Sequence, residues 1–362
     1  MVTAIGEVTL ESEEAITAAR EAYEALTDVQ KEMVTSLEVL VQAEASLEEI
    51  KNLPPVQMVT PLSPVERISG DTRYSTSTAG ADYLKSITGV EKFDTAVVAT
   101  GSDFPDALSG GLLASVYNAP LILADPGDTY GSALNIMSRV NAGGKIFVLG
   151  GTSAVPSTLT ATLRNNGYQV VRLSGDTRYD TNVAILNEIS KVSSVDSVIL
   201  CNAYSFPSAL SVSSTGCPIL LTGDSLSQGQ INWLRSNSIS KIYVIGGTSS
   251  VSDSIVSQVR QNSGCNNTQR ISGADRLQTS VEVAKVFFPG SLDRAVVTYA
   301  YNFPDGLCGG VIAEALNAPI ILVDNNTSAN QAAKAYCTEH NVQQIVVMGG
   351  PNAISDAVAN DL

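Results

Sequence analysis

The sequence predicts an α/β fold of three tandem modules with parallel sheets, preceded by a small all-α helical segment. Three observations support this fold class. One set of motifs occurs three times, in the same order, along a chain of 362 residues. Strand-like and helix-like stretches alternate within each copy, and the strand-like stretches are short and apolar throughout. Strands of a parallel sheet that helices cover on both sides have this character.

Four landmarks recur in each copy: an arginine followed by a hydrophobic residue, Ser and Gly; a Phe-Pro element; an apolar run around a proline; and a double glycine after a strand-like run. They begin at Arg67, Arg172 and Arg270; at Phe104, Phe206 and Phe303; at Asn118, Gly216 and Asn317; and at Ile146, Ile242 and Ile345. A fixed order of landmarks at a period of roughly 100 residues indicates a triplicated module. We therefore divide the chain into a helical spacer at 1–53, a Pro-rich linker at 54–64, and repeats at 65–167, 168–267 and 268–362.

The first part of the chain has a helical period. Apolar side chains at positions 15, 16, 19, 22, 23 and 26 form one helical face, and the segment after Leu26 interrupts it. Residues 19–31 resemble the small helical modules that space out domains in Gram-positive surface proteins. A continuous coiled coil is the alternative, which the interruption disfavours. Four prolines between 54 and 64 predict a stiff, extended linker.

Composition excludes several classes of protein. The net charge is −15, and residues 1–64 carry 12 acidic and 3 basic residues against 24 and 18 in the rest. We find no basic stripe that would bind nucleic acid, no apolar run near the roughly 18 residues of a membrane helix, and no signal segment. The five cysteines are odd in number and form no C-x-x-C motif, so we expect the cysteines to be small, buried core residues. A disulfide bond between Cys201 and Cys217 stays an open alternative.

The motifs that follow strands are expected to converge. The carboxyl ends of parallel strands meet at one edge of a sheet, where open α/β sheets bind ligands. The recurrent arginines are candidates for binding phosphate or carboxylate, with a structural ion pair as the alternative. This set comprises Arg67, Arg172 and Arg270, and Arg73, Arg178 and Arg276.

The Phe-Pro elements and the double glycines supply the other candidate ligand-binding residues. Asp106 and Asp305 follow the proline, Asp103 precedes the phenylalanine, and Ser208 replaces the aspartate in the second copy. Helix capping is the favoured alternative for these carboxylates. The pairs Gly150-Gly151, Gly246-Gly247 and Gly349-Gly350 suit either an anion-binding loop or a tight turn. They lack the lysine of a Walker loop, and no dinucleotide fingerprint accompanies them.

We identify no catalytic residues, no metal ligands and no cofactor site. His340 is the single histidine, so neither a zinc hydrolase site nor a Ser-His-Asp triad with a nucleophile elbow can be recognised.

The repeat closely resembles the cell-wall-binding repeat type 2 family of clostridial and other Gram-positive surface proteins. The motifs Arg-Ile-Ser-Gly-x-x-Arg-Tyr, Phe-Pro-Asp-Ala-Leu-Ser-Gly, Asn-Ala-Pro-Leu-Ile-Leu and Gly-Gly-x-x-Ala-Val carry the resemblance over residues 65–362. The departures are Ser208, Val212 and Ser213 in the second copy and Leu277 in the third.

The resemblance implies Rossmann/Toprim-like modules in a pseudo-threefold arrangement and a non-enzymatic, secreted, surface-layer-associated protein. Its partner would be an anionic polymer of the cell wall, teichoic-acid-like or a phosphorylated polysaccharide, outside the cell. A wall-associated, amidase-like hydrolase and a soluble sugar- or nucleotide-binding protein are the alternatives.

We further expect the three modules to close on one another. The middle copy departs most from the shared motifs, whereas an open array places its atypical copies at the ends.

Overall fold

A computed structural model describes residues 12–52 and 64–362, and within the first range it describes side chains as far as Glu48. The chain divides into two compact units, residues 1–62 and 63–362. The predicted linker at 54–64 therefore lies, apart from Pro64, outside the described residues.

The first unit is helical, as predicted. Helix α1 spans Glu13–Glu24, α2 spans Asp28–Lys31 and α3 spans Leu37–Asn52. The interruption lies at Thr27, whose side chain and that of Gln30 form a reciprocal capping box that starts α2. Residues Ile16 and Ala19 of α1 pack against Leu40, Ala43 and Leu47 of α3. This unit is thus a small module of separate helices with its own apolar contact rather than one long helix.

The second unit alternates strands and helices as the sequence predicts. The elements of the first repeat are β1 (Val65–Ile68), α4 (Arg73–Thr88), β2 (Phe93–Thr100), α5 (Pro105–Val116), β3 (Leu121–Ala124), α6 (Thr129–Arg139), β4 (Val140–Leu149) and α7 (Ser157–Asn165). Those of the second are β5 (Gln169–Leu173), α8 (Arg178–Ile189), β6 (Ser197–Asn202), α9 (Phe206–Ser211), β7 (Ile219–Thr222), α10 (Gln228–Ser236), β8 (Lys241–Ile245) and α11 (Asp253–Ser263). Those of the third are β9 (Thr268–Ile271), α12 (Arg276–Phe287), β10 (Arg294–Tyr299), a 3₁₀ turn (Pro304–Gly306), α13 (Gly309–Ala315), β11 (Ile320–Val323), a 3₁₀ turn (Thr327–Asn330), α14 (Gln331–Glu339), β12 (Gln344–Met348) and α15 (Asp356–Asp361).

Residues 64–362 contain three four-stranded sheets, ordered β3-β2-β4-β5, β7-β6-β8-β9 and β11-β10-β12-β1, with every pair parallel. The strand that opens each repeat belongs to the sheet of another repeat. Strand β5 pairs with β4, and β9 pairs with β8. Sequence repeat and structural sheet are therefore offset by one strand.

The same one-strand offset joins the first repeat to the third, so that the three repeats form a closed ring. Strand β1 of the first repeat pairs with β12 of the third, with Val65 opposite Ile345 and Ile68 opposite Met348. The first and third repeats are thus joined by backbone hydrogen bonds, as the second is joined to each of them. The expected closure of the three modules is confirmed, and so is the α/β fold class with its pseudo-threefold arrangement.

The apolar runs around a proline owe their form to the helix that precedes them. Asn118 and Asn317 follow α5 and α13 with φ of 49°, and Gly216 takes the corresponding place with φ of 68°. A left-handed residue ends a helix, and Asn and Gly adopt that conformation most readily. The chain then enters the buried strands β3, β7 and β11, whose residues are almost fully shielded from solvent.

The core is continuous across the three repeats. One apolar cluster runs from Ile68 and Phe147 through Trp233 to Met348, with α5, α9 and α13 at its centre. All five cysteines are free, and four of them are buried, as expected for small core residues. In the described part of the chain no helix is long and apolar enough to cross a membrane.

Candidate ligand-binding site at the repeat junctions

The second recurrent arginine of each repeat ties two sheets together. Arg73, Arg178 and Arg276 are the first residues of α4, α8 and α12. Each donates from Nη1 to the backbone carbonyl just after the next strand: Gly101 at 2.6 Å, Ala203 at 2.7 Å and Ala300 at 3.0 Å. Because the leading strand lies in the preceding sheet, each of these arginines lies where two repeats meet.

Three phenylalanines mark the pseudo-threefold axis. The ring centroids of Phe104, Phe206 and Phe303 are 5.6–6.0 Å apart, and each pair is tilted by 61–62°. Such edge-to-face contacts are a favourable arrangement of aromatic rings. The guanidinium groups of Arg73 and Arg276 lie 6.0 and 5.9 Å from the rings of Phe303 and Phe206. The Phe-Pro elements and the arginines, far apart in sequence, thus converge at the centre of one face.

The residue two positions after each phenylalanine lies near an arginine of the next repeat around the ring: Asp106 and Asp305 interact with the charges of Arg178 and Arg73, and Ser208 lines a cavity with Arg276. We name the junctions by these residues: the first junction holds Asp106, Gly150 and Arg178; the second holds Ser208, Gly246 and Arg276; the third holds Asp305, Gly349 and Arg73. The charge of Arg178 acts on Asp106 and that of Arg73 acts on Asp305. The structure therefore brings most of the predicted site residues together at three related places.

Burial dominates the electrostatics of the two aspartates. It raises the pKa of Asp106 to about 6, the neighbouring carboxylate of Asp103 adds to this, and Arg178 opposes it. The pKa of Asp305 is also raised by burial, against a hydrogen bond from Thr76 and the charge of Arg73. Both aspartates also lie in the first turn of their helical segments, where a carboxylate complements the helix N-terminus. Helix capping therefore stays an alternative to ligand binding for these two residues.

Asp103 differs from the other predicted carboxylates. It is exposed, its Oδ1 accepts a hydrogen bond from the backbone N–H of Phe104 at 2.8 Å, and its Oδ2 lies 3.7 Å from Nη2 of Arg178. Exposed ion pairs of this kind contribute little to stability. Asp103 therefore adds negative charge at the rim of the first junction.

The double glycines form tight loops against these side chains. The first glycine of each pair is left-handed, with φ of 87° at Gly150, 95° at Gly246 and 115° at Gly349. A Cβ at Gly150 would collide with the carboxylate of Asp106, and one at Gly349 would lie 2.8 Å from Oδ2 of Asp305. Backbone conformation and close approach both require glycine here.

The first recurrent arginine of each repeat forms a hydrogen bond to a double-glycine loop. Arg67, Arg172 and Arg270 donate from Nη1 to the carbonyl oxygens of Gly349, Gly150 and Gly246 at 2.8, 2.6 and 2.9 Å. Arg67 and Arg270 also bind Asp356 and Asp253, the first residues of α15 and α11. Arg172 instead donates to the carbonyl oxygens of Gly151 and Val155. Arg67 and Arg270 thus form the ion pairs that the sequence left open as the structural alternative, whereas the contacts of Arg172 are hydrogen bonds to backbone carbonyl groups.

These junctions belong to repeats of a recognisable kind. The family profile described as "Cell wall binding domain 2 (CWB2)" matches residues 67–160, 172–256 and 270–359. The chain belongs to the CWB2 family. The matched segments begin at the first recurrent arginines, Arg67, Arg172 and Arg270, and also contain the second ones, Arg73, Arg178 and Arg276.

Two curated relatives are proteins of Bacillus subtilis (strain 168). The chain is 25% identical over 303 residues to "N-acetylmuramoyl-L-alanine amidase LytC", covering 82% of this chain and 58% of the amidase. It is 27% identical over 302 residues to "Amidase enhancer", covering 82% of this chain and 40% of that protein. The chain thus spans about half the length of the curated relatives it matches.

Two solved structures have the same fold. Cwp6 from Clostridium difficile superposes with a TM-score of 0.72 at 26% identity, over 83% of this chain and 48% of Cwp6. Cwp8 from the same organism has a TM-score of 0.72 at 21% identity, over 90% of this chain and 54% of Cwp8.

Sequence reasoning missed some residues of the CWB2 junctions. The exposed rings of Tyr204 and Tyr301 lie 4.5 and 4.9 Å from the guanidinium groups of Arg178 and Arg276. Thr181 and Thr279 accept hydrogen bonds from the glycine of the Arg-x-Ser-Gly motif, at 3.1 and 3.0 Å. The recurrence of a threonine three residues after each second arginine was the available signal; the tyrosines recur in only two copies.

A cavity also lies away from the junctions. Its volume is about 540 Å³, and Leu84, Phe93, Ala119 and Val311 line it near the amino ends of β2 and β3. It contains Glu314, whose pKa is raised by burial and whose Oε2 has no hydrogen-bond partner. The lining of this cavity has a buried carboxyl group and no basic residue, which disfavours binding of an anion. The junctions are therefore the better candidates for an anion-binding site.

Proposed function

We propose that the chain anchors a surface protein to the Gram-positive cell wall, outside the cell, without a covalent bond. The three CWB2 repeats bind an anionic wall polymer through Arg73, Arg178 and Arg276. The observation that carries the proposal is the convergence of these arginines around the phenylalanine triad on one face of the closed ring. Membership of a family described by cell wall binding supports it.

Local charge supports an anionic partner. The repeats are acidic overall, so attraction to a polyanion depends on where the arginines lie and not on net charge. Guanidinium groups pair with phosphate and carboxylate through two parallel hydrogen bonds. Each of these arginines uses Nη1 for a backbone carbonyl, which fixes its orientation and reduces the entropy lost on binding. Three equivalent sites on one rigid ring also favour a long polymer, because the later contacts are intramolecular.

In this proposal the other predicted residues have two roles. Asp103, Asp106 and Asp305 modulate the charge beside the arginines and present acceptors to sugar hydroxyl groups. The glycine pairs shape the loops, and Arg67, Arg172 and Arg270 hold those loops in place. The repeats act as a binding module and not as an enzyme. His340 then has a structural role: its Nδ1 lies 2.8 Å from the carbonyl oxygen of Gly290, and its ring packs on Tyr336.

The test is sedimentation of the protein with purified Gram-positive walls. We expect the parent to co-sediment and the triple variant Arg73→Ala, Arg178→Ala, Arg276→Ala to lose about tenfold or more in affinity. The matched control is Arg164→Ala, Arg235→Ala, Arg260→Ala, which removes the same charge from exposed positions outside the junctions. Binding should also weaken with salt, since ions screen exposed charges.

Circular dichroism verifies that each variant is folded, and the turbidity of the wall suspension reports hydrolysis. A folded junction triple variant that binds walls as the parent does would contradict the proposal. A fall in turbidity of the wall suspension caused by the parent protein would favour the hydrolase alternative. That alternative is retained because one relative is named as an amidase.

A further inference from the structure

The three junctions are not equivalent in charge. Each has an arginine, but the first and third place a carboxylate opposite it, Asp106 and Asp305, whereas the second has Ser208. When these groups are ionised, the third junction is close to neutral and the first, with Asp103 at its rim, is net negative. The second junction has no such carboxylate opposite its arginine.

The replacement also opens space. At the first and third junctions the carboxylate fills the place beside the left-handed glycine. At the second, Oγ of Ser208 lies 3.6 Å from where a Cβ of Gly246 would be, and a cavity of about 200 Å³ forms. Ser205, Ser208, Ser250, Thr279 and Arg276 line it together with the glycine pair.

The lining of this cavity suits an anion. Arg276 is its one charged side chain, and apart from Pro207 the other lining residues have hydroxyl groups or glycine N–H groups that can donate hydrogen bonds. Arg276 donates from Nη1 to the carbonyl of Ala300 and lies against the rings of Phe206 and Tyr301. Among residues 12–52 and 64–362 its guanidinium forms no ion pair, whereas Arg178 lies 3.7 Å from Asp103. The guanidinium is thus held in place with donors still free for a ligand.

We propose that the second junction is the principal anion-binding site of the ring, and that Ser208 is the residue that makes it so. Its ligand is an anionic oxygen group of the wall polymer, a phosphodiester or a carboxylate, seated between Arg276 and the hydroxyl groups of Ser208 and Ser250. The first and third junctions, each with an arginine opposite a carboxylate, bind neutral sugar units. This inference rests on the proposed function and assigns distinct tasks to its three sites.

The experiment restores or removes the carboxylate in the full chain. Ser208→Asp places at the second junction the residue that the fold accommodates at the other two, and Ser208→Asn is its uncharged size match. We expect Ser208→Asp to bind purified walls and inorganic phosphate at least about tenfold more weakly than Ser208→Asn, because a carboxylate beside the site repels the anion. The reverse change, Asp106→Ser, should strengthen phosphate binding by opening a like cavity at the first junction.

Single arginine variants locate the principal site. Arg276→Ala should remove most of the phosphate binding, and Arg73→Ala and Arg178→Ala should each remove little. Equal losses from the three single variants, equal binding by Ser208→Asp and Ser208→Asn, or no gain from Asp106→Ser would overturn the inference. In each of those cases loss of wall binding by the triple arginine variant would still uphold the proposed function, so the two failures are distinguishable.

Treated walls identify the source of the anion. Hydrofluoric acid cleaves phosphodiesters, and carbodiimide amidation neutralises carboxylates. The portion of wall binding that depends on Arg276 should disappear after one of the two treatments. The treatment that removes it identifies the bound group as a phosphodiester or a carboxylate. If neither treatment changes that portion, the second junction does not recognise an anion.

Discussion

A single buried carboxyl group sets a pH dependence at the first junction. Asp106 has a pKa of about 6 in the folded protein, against an ordinary value of 3.8. Burial is the main cause, Asp103 contributes, and Arg178 compensates only in part. The two values differ by about 2 pKa units at about 1.4 kcal/mol each, so ionised Asp106 costs on the order of 3 kcal/mol of folding free energy at neutral pH.

The sign of this contribution follows from proton binding. Between about pH 4 and pH 6 the folded state holds more protons at Asp106 than the unfolded state, so stability falls as pH rises through this window. We expect Asp106→Asn to raise the melting temperature at pH 7.5 and to have little effect at pH 4. Thermal unfolding of both proteins across this range is the measurement. A difference between the two proteins that does not change with pH would show that Asp106 has the same pKa in the folded and unfolded states, which contradicts the prediction.

At the scale of residues, the sequence predicts which residues belong to the junctions better than it predicts how they are arranged in space. Recurrence alone singled out both arginine sets, the Phe-Pro aspartates and the glycine pairs, and the departure at Ser208. The contact of three phenylalanine rings on one axis could not be predicted, because it depends on how whole repeats pack. The tyrosines beside Arg178 and Arg276 were missed for a related reason: exposure is a property of the folded surface, and the first repeat has Ser102 at that position.

At the scale of elements, the two arginines of each repeat have separable roles. Arg172 donates three hydrogen bonds to backbone carbonyls of the loop between β4 and α7 and has no carboxylate partner among the described residues. Burial and Arg164 lower its pKa. Arg178 makes a single backbone bond and one long ion pair at the first junction. The first arginine therefore fixes a loop, and the second presents a charge.

We expect Arg172→Ala to destabilise the protein by about 2 kcal/mol or more, since it leaves buried carbonyl groups without donors. Wall binding by the folded fraction should be unchanged. Arg178→Ala should lower stability much less and weaken wall binding instead. Denaturant unfolding and wall sedimentation on the same two variants measure both effects. If Arg172→Ala weakens binding without lowering stability, the first arginines contact the ligand directly.

The elements themselves were largely predictable. Short apolar runs, prolines at helix starts and left-handed Asn or Gly at helix ends encode the order of strands and helices locally. The partner of each leading strand is not encoded locally. A four-residue strand such as β1 pairs equally well with any parallel neighbour of suitable register, and only the packing of the ring selects β12. For this reason the sheet boundaries differ by one strand from the repeat boundaries.

At the scale of the whole molecule, β1 is the strand that closes the ring. It covers the edge of β12, and Ile68 is buried beside Met348 in the shared core. Without it β12 becomes an edge strand with free backbone groups, which favours pairing with another chain. The helical unit that precedes β1 is separate by contrast, with its own core.

Two truncated chains that differ by five residues test this view. The fragment 64–362 should keep the melting temperature and the wall binding of the whole chain, because it retains every strand of the three sheets. The fragment 69–362 lacks β1 and should melt at a lower temperature and associate in solution, with β12 of one molecule exposed to its neighbours. Calorimetry and light scattering measure the two properties. A monomeric 69–362 fragment as stable as 64–362 would show that the ring is held by its central helices and phenylalanine triad alone, and that the exchanged strand adds nothing to closure.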